Sequence, residues 1–359
     1  MPPLYTIGLV FSIRLQNFIA LAILEPSPAA GRGHKEPRGF VQMAKVISLG
    51  ELLIDSTPVG LSAQGHPLYE ANPGGAPANM LACMAKLGNE AYLFGCVGKD
   101  GYGQFLLNSL EKNGISAKYM KQSQDQLTTL DVVTIYEDGD RDFVFYRNPG
   151  ADTQIAPEDV RPEAFEGAAL FHFGSLSLTH EPARSATLRA LDLAREKGCL
   201  ISYDPNLRPP LWPSLDRARE AMLSVMDRAD VLKVSQEEAE FLTGLADPDA
   251  AADRLLGGYP LRLIFITLGA EGCRYYSRAG LRGAAPGIRK GGVKDTTGSG
   301  DYFFGGALDA LLRLNTPIEK LSGQQLRALA EQGNRCGYLV ATQTGALGAK
   351  LSRRMLEEL

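Results

Sequence analysis

The sequence predicts an α/β fold in which a mainly parallel sheet is covered by helices on both faces. The prediction rests on short runs of β-branched and aliphatic residues from Val46 onward, which alternate with amphipathic segments of helical period. Strands and helices that alternate in this way indicate βαβ units. Because ligands of such sheets bind beyond the carboxyl ends of the strands, we expect functional residues to follow strands.

The predicted elements follow one another along the chain. Strands are predicted at residues 46–50, 91–98, 129–136, 143–147, 170–176, 199–205, 231–235 and 263–269. Helices are predicted at residues 78–87, 104–113, 185–197, 216–230, 237–243 and 302–314.

Two intervals, residues 55–72 and 128–147, contain strand formers and turn residues but no helical period. In the second interval, Asp138-Gly139-Asp140 is typical of a hairpin turn. We therefore expect these intervals to form a small antiparallel sheet that lies over the site as a lid.

Composition excludes several classes of protein. The chain has 359 residues, with 37 Lys and Arg against 41 Asp and Glu, for a net charge of −4. A nucleic-acid-binding protein usually carries a clustered cationic surplus, so nucleic acid is not an expected partner. The five cysteines form no C-x-x-C pair and the four histidines have no metal-ligand spacing. This usage indicates a reducing compartment, and we expect a cytoplasmic protein without a structural transition metal.

Residues 1–43 differ in character from the rest of the chain. An apolar stretch at residues 5–24 is interrupted by Arg14, Gln16 and Asn17 and leads into a run rich in Pro, Gly and basic residues. Neither a membrane span nor a secretory signal has this pattern. We expect an extension outside the fold, with residues 44–359 forming the folded domain and no membrane as partner. An organelle-targeting or interfacial segment is the alternative.

The segment at residues 295–301, Asp-Thr-Thr-Gly-Ser-Gly-Asp, carries the strongest chemical signal. A glycine turn that enters a helix exposes unpaired backbone N–H groups, and the helix dipole adds partial positive charge there. Gly298, Ser299 and Gly300 would therefore bind an anion, with the carboxylate of Asp301 beside it as a proton acceptor. The alternative is that Asp301 only caps the helix and the glycines only turn the chain.

A second glycine segment, Pro-Gly-Gly-Ala-Pro-Ala-Asn at residues 73–79, precedes a helix and allows close approach of a ligand to the backbone. Together the two segments resemble the signatures of ribokinase-like sugar kinases of the phosphofructokinase B family. Gly88 and Gly98 follow at the expected intervals, and the similarity extends from about Val46 to Gly348. Further segments resemble those of fructokinases, at residues 50–55, 145–152, 173–177 and 204–209. The resemblance implies a three-layer sandwich with a small β lid.

The resemblance also implies roles for individual residues. Asp301 would be the base that takes the proton of a sugar hydroxyl, and Gly298, Ser299 and Gly300 would donate hydrogen bonds to the transferring phosphoryl group. Gly75 and Asn79 resemble the family's sugar contacts, and Thr267, Gly269 and Gly272 resemble its nucleotide-binding turn. Asp55 at a strand end and Arg147 after an aromatic run are expected to contact the sugar, and Asn206 and Arg208, which follow a strand and a Pro turn, the triphosphate or acceptor. The alternatives are a turn residue for Asp55, a helix cap for Asn79, a solvated side chain for Arg147 and a plain strand-to-hairpin turn at residues 267–272.

ATP and Mg²⁺ are the implied cofactors. Glu238 matches the glutamate of the family's Asn-x-x-Glu magnesium motif and would act through water, although Ser235 stands where asparagine is usual. Asp295, Thr297 and the loop at residues 341–345 would hold a monovalent cation such as K⁺. Thr344 departs from the family pattern in that loop.

The sequence therefore predicts an ATP-dependent fructokinase that phosphorylates a primary hydroxyl to give fructose 6-phosphate. A kinase for another ketose, ketodeoxygluconate, ribose or a nucleoside is the nearest alternative. A ketodeoxygluconate-like acid would need an extra cation in the pocket, which makes Arg147 the residue to test. A sugar- or nucleotide-binding regulator without turnover is the alternative from another class. Lid edges often pair between subunits in this family, so a homodimer is expected.

Overall fold

The strands form two sheets in the computed structural model, which describes residues 43–135 and 141–359. The strands are β1 (Lys45–Leu49), β2 (Leu53–Leu61), β3 (Pro67–Gly74), β4 (Glu90–Gly98), β5 (Ile115–Ser116), β6 (Met120–Ser123), β7 (Leu130–Ile135), β8 (Arg141–Tyr146), β9 (Ala168–Phe173), β10 (Leu200–Tyr203), β11 (Val231–Ser235), β12 (Leu263–Thr267), β13 (Gly272–Ser277) and β14 (Arg282–Pro286). The helices are α1 (Ala76–Lys86), α2 (Gly101–Lys112), α3 (Ala183–Glu196), α4 (Leu215–Leu223), α5 (Gln236–Thr243), α6 (Pro248–Gly258), α7 (Ser299–Leu314), α8 (Gly323–Ala341) and α9 (Arg353–Glu357).

The larger sheet has the order β14-β13-β12-β11-β10-β9-β1-β4-β5, and β6 also pairs with β4. The strands from β12 to β5 in this order pair in parallel, and only β13 and β14 at one edge are antiparallel. The predicted α/β fold with a mainly parallel sheet is confirmed.

Neighbouring residues of the central strands face opposite helical layers, as the pleat requires. Val46 belongs to the apolar cluster built with α1, α2, α7 and α8, whereas Ile47 belongs to the cluster built with α3 to α6. Val231 and Leu232 divide in the same way. Strands that are buried on both faces explain the nearly continuous apolar runs in the sequence.

The smaller sheet has the order β3-β2-β7-β8 and contains most of the two intervals predicted as a lid. The prediction of an antiparallel sheet is wrong in one respect, because β2 and β7 pair in parallel while each hairpin is antiparallel within itself. The chain leaves β3 for the larger sheet and returns to β7 only after β6, so a turn does not set the direction of β7. The predicted turn at residues 138–140 lies outside the described residues, as do residues 1–42 of the predicted extension.

One helix prediction needs correction, and three helices were missed. The segment predicted as a helix at residues 216–230 forms α4 only as far as Leu223. The chain must then become extended to enter β11, where the side chain of Asp230 accepts the amide of Ile201 in the neighbouring strand. Helices α6, α8 and α9 were not predicted, although Ser322 and Gln325 form a capping box at the start of α8.

All five cysteines are buried free thiols. Within the described part of the chain, no helix combines the length and apolar character needed to cross a membrane. A cytoplasmic location stays a prediction.

Candidate active site

The predicted anion cradle lies where α7 begins, beyond the carboxyl ends of the parallel strands. Gly298 precedes the helix with a φ of 76°, a conformation that favours glycine. The amide of Ser299 donates to the carbonyl of Thr296 at 3.1 Å, so this donor is used within the turn. The amides of Gly300 and Asp301 have no acceptor among the described residues and remain available to an anion.

Gly298 is held close to the loop that precedes α9. A Cβ atom at Gly298 would lie 2.3 Å from the Cβ of Ala346 and 3.5 Å from Nδ2 of Asn79. Only a residue without a side chain fits this turn in its present shape.

Asp301 lies in the first turn of α7 and is 9% exposed. Nδ2 of Asn79 donates to Oδ2 of Asp301 at 2.9 Å, which joins the two glycine segments of the sequence. Burial raises the pKa of Asp301, and the hydrogen bond from Asn79 and the charges of Lys233 and Arg208 oppose that rise. Asp301 is therefore a buried carboxyl group whose proton affinity is increased, as a general base requires.

The smaller sheet, which is the predicted lid, presents a row of side chains at one register position. Asp55 on β2 lies opposite Asn72 on β3 and opposite Asp131 on β7, and Asp131 lies opposite Phe145 on β8. Burial raises the pKa of Asp55 to about 7, and the charge of Asp131 adds to the effect while that of Arg208 opposes it. Two carboxyl groups therefore share one edge of the candidate sugar pocket.

The glycines at residues 74 and 75 let the chain pass close to this pocket. A Cβ at Gly74 would lie 2.1 Å from Oδ2 of Asp55. Gly75 has a φ of 117°, and a Cβ there would lie 2.3 Å from the carbonyl oxygen of Glu51. The predicted sugar-binding residues Asp55, Gly75 and Asn79 therefore surround one short stretch of backbone.

Sequence reasoning missed Glu51 and Asp131. Oε1 of Glu51 accepts the amide of Ala76 at 2.9 Å, and burial raises the pKa of Glu51 to about 7. Glu51 lies in the segment at residues 50–55 that resembles fructokinases, so the sequence contained a signal for this residue. Asp131 lies in the middle of a segment with a typical strand pattern, which gives no sign of a functional role. Only the register of β2 and β7 brings Asp131 beside Asp55.

Arg147 and Arg208, the two predicted arginines, differ in their surroundings. The guanidinium of Arg147 is buried and lies 2.6 Å from Oδ2 of Asp152, and it also donates to Thr179 and to the carbonyl of Leu176. Nη1 of Arg208 donates to Oδ1 of Asn206 at 2.7 Å. Its charge lowers the pKa of both Asp55 and Asp301, so the guanidinium group lies near both carboxyl groups.

A cleft of about 290 Å³ lies beside the cradle. Thr267, Gly269 and Gly272, the residues predicted for the nucleotide, line it together with Ser299 and Gly300. The cleft wall is otherwise formed by residues from the segment after β14, from α7 and from α8, among them Ile288, Val293, Phe303, Asn334 and Tyr338. One cavity thus connects the predicted nucleotide turn to the anion cradle.

A profile described as pfkB family carbohydrate kinase matches residues 43–352. The chain belongs to this family. It is 41% identical over 306 residues to probable fructokinase-4 of Arabidopsis thaliana. The aligned region covers 85% of this carbohydrate kinase and 93% of the relative.

Two solved structures are also similar to this carbohydrate kinase. The fructokinase of Vibrio cholerae O395, crystallised with fructose, ADP and calcium ion, matches with a TM-score of 0.79 and 30% identity, over 88% of this chain and 98% of the other. The aminoimidazole riboside kinase of Salmonella enterica, crystallised with aminoimidazole riboside and an ATP analogue, matches with a TM-score of 0.76 and 31% identity, over 87% and 98%.

The residues predicted to bind cations in this carbohydrate kinase already have protein partners. Oε1 of Glu238 accepts the amide of Leu207 at 2.7 Å, and Oε2 accepts the amide of Ser235 at 2.8 Å. Oδ1 of Asp295 accepts the hydroxyl of Thr297 at 2.7 Å. Within residues 43–135 and 141–359, no group of three or more His, Cys, Asp or Glu side chains is arranged to hold a metal ion. Oδ1 of Asp295 also accepts the amide of Thr297 at 3.0 Å, so both of its lone pairs are used within the protein. Each carboxylate oxygen of Glu238 accepts one amide and still has a second lone pair for a water or an ion.

Proposed function

We propose that this carbohydrate kinase transfers the γ-phosphoryl group of ATP to a primary hydroxyl of fructose, giving fructose 6-phosphate. The observation that carries the proposal is the position of Asp301, a buried carboxyl group in the helical turn that supplies the cradle amides, whose charge also acts on the pKa of Asp55 on the lid. The fructose bound in the Vibrio cholerae relative and the fructokinase from Arabidopsis thaliana support the choice of sugar.

In the proposed reaction the sugar hydroxyl oxygen forms a bond to the γ-phosphorus. The bond from that phosphorus to the β,γ-bridging oxygen breaks, and its electron pair leaves with ADP. The hydroxyl proton passes to the carboxylate of Asp301. The amides of Gly300 and Asp301 donate to the phosphoryl oxygens, while Asp55 accepts hydroxyl hydrogen bonds and fixes the sugar.

We assign the nucleotide to the cleft beside Thr267, Gly269 and Gly272. Mg²⁺ keeps several waters and prefers phosphate oxygens, so it would come with the nucleotide and offset phosphate charge, and Glu238 would hold one of its waters. Asp295 and Thr297 stay our proposal for a K⁺ site.

A nucleoside is the second candidate acceptor, because a specific cavity favours it. A cavity of about 440 Å³ beside Arg147 is lined by two aromatic side chains, Phe145 and Trp212, and by His180 among other residues. Such a surface suits a flat base, and the Salmonella enterica relative binds a riboside. An acid such as ketodeoxygluconate is disfavoured, since Asp152 already neutralises Arg147.

A coupled ADP-release assay across fructose, ribose, ketodeoxygluconate, adenosine and aminoimidazole riboside tests the proposal. We expect fructose to have the highest kcat/KM. A preference for either nucleoside would overturn the choice of fructose, and ADP release with none of the five would overturn the proposed reaction.

We propose that a second copy of this chain covers the outer face of the lid. Between the lid and α2 lies an apolar groove of about 800 Å³, lined by Tyr102, Phe105, Leu127, Leu130 and Tyr146. Leu127 is 76% exposed and Tyr146 is 65% exposed, so this apolar surface faces solvent in a single chain.

Replacing Tyr146 with Asp is expected to convert a dimer into a monomer, because a carboxylate would be buried against apolar side chains. Sedimentation velocity would measure the mass. Leu215→Asp is the matched control, since Leu215 is 50% exposed at the start of α4 and far from the groove in the chain. A monomeric wild type, or a Tyr146→Asp variant that remains dimeric, would exclude this interface.

A further inference from the structure

Lys233 is a buried cation beside the cradle that sequence reasoning did not single out. It lies on β11, its side chain is 8% exposed, and its Nζ lies 2.9 Å from Oδ2 of Asp204, at the end of β10. A Cβ on Gly300 would lie 2.8 Å from this Nζ. The ammonium group is therefore packed directly against the first turn of α7.

We propose that Lys233 is a catalytic residue whose ammonium group neutralises charge on the phosphoryl group during transfer, and that Asp204 holds it in position beforehand. The inference rests on the kinase reaction proposed above.

The hydrogen bonding of Lys233 points toward a ligand. A lysine ammonium has three N–H donors, and the bond to Asp204 is the only one formed within the described residues. Buried donors are almost always satisfied in native proteins, so two remaining donors next to an anion cradle call for an acceptor. The phosphoryl oxygens of a bound nucleotide are acceptors of the right charge at this place.

The groups around Lys233 keep it charged. Asp204, Glu238 and Asp301 face it from β10, α5 and α7, and their charges raise the pKa of Lys233 against the effect of burial. His172 on β9 is also a neighbour of Lys233, and burial together with the charge of Lys233 lowers the pKa of His172 to about 3. His172 is therefore neutral, and its Nδ1 forms a hydrogen bond with Oγ of Ser202 at 3.0 Å.

A fixed cation in a site from which water is excluded stabilises developing charge without reorganisation. Lysine acts as a compact point charge with three N–H donors, so Nζ can keep its bond to Asp204 while a second N–H donates to a phosphoryl oxygen. Lys233 keeps its proton throughout, and Asp301 alone accepts the proton of the sugar hydroxyl.

The alternative is that the pair of Lys233 and Asp204 only ties two strands together. Lys233→Met removes the charge and keeps most of the stem. We expect kcat to fall roughly 10²- to 10³-fold, the loss typical of one transition-state donor, with a much smaller change in KM for fructose. Arg353→Met is the matched control, because it removes a half-buried arginine of α9 whose Nη2 lies 2.9 Å from Oδ1 of the buried Asp309 on α7, away from the cradle.

Rescue by an added amine further distinguishes a catalytic role of Lys233 from a purely structural one. Lys233→Ala, checked for folding by circular dichroism, is expected to regain part of its kcat when propylamine is added, whereas propanol has no such effect. A folded Lys233→Ala variant without amine rescue, or a Lys233→Met variant with the kcat of Arg353→Met, would overturn the proposal. Turnover by the wild type reports separately on the proposed reaction.

Discussion

Asp301→Asn is expected to lower kcat about 10²- to 10⁴-fold, because the variant cannot accept the proton of the sugar hydroxyl. Asparagine has the same shape, and its oxygen can still accept the hydrogen bond that Nδ2 of Asn79 donates at 2.9 Å. The sugar and the nucleotide should bind almost as in the wild type. The coupled ADP-release assay measures the loss, and KM for each substrate shows whether binding is retained.

Stability and pH provide the controls for this prediction. Burial raises the pKa of Asp301, so its ionised form costs stability at neutral pH, and asparagine removes that cost. We therefore expect the Tm of the variant to be unchanged or higher. The wild-type kcat should fall as the pH drops through the raised pKa, and this dependence on Asp301 should be absent from the variant. A variant within tenfold of the wild-type kcat would exclude Asp301 as the base.

Gly298→Ala is expected to have an effect of comparable size through geometry alone. A φ of 76° strains any residue with a side chain, and the new Cβ would lie 2.3 Å from that of Ala346. The turn must therefore move, and the amides of Gly300 and Asp301 move with it. Because removal of one such donor costs roughly 10²- to 10³-fold in kcat, we expect at least that loss.

Differential scanning fluorimetry should also show a lower Tm for Gly298→Ala, since such strain costs about 1–3 kcal/mol. Gly323→Ala is the matched control, because nothing lies within 4 Å of a Cβ at the start of α8. Full activity in Gly298→Ala would mean that the turn does not bind the transferring phosphoryl group.

Local patterns were sufficient to predict the layers and the cradle. Apolar runs such as the one that begins at Val46 are needed by any strand buried on both faces, so the parallel sheet was readable. Gly298 and Asp301 were readable because a glycine turn and the helix after it are adjacent in sequence.

Pairings between distant parts of the chain were not predictable from local patterns. Asp131 is placed beside Asp55 by the register of β2 with β7. Lys233 is recognised as part of the candidate site by the distances of its Nζ to Asp204 and Gly300. A basic residue at the end of a strand does not show whether it faces a ligand or an internal carboxylate. Arg147 was predicted to reach the sugar, and its ion pair with Asp152 could be known only from the fold.

The division into two sheets has a consequence for how such a protein can diverge. Asp55 and Asp131 stand on the small sheet, whereas the cradle and the cleft beside Thr267 are built on the large one. Substitutions confined to the two hairpins can thus change which alcohol is accepted, while the residues that bind the phosphate groups stay the same. New substrate specificities can arise on this fold without any change in the residues that carry out phosphoryl transfer.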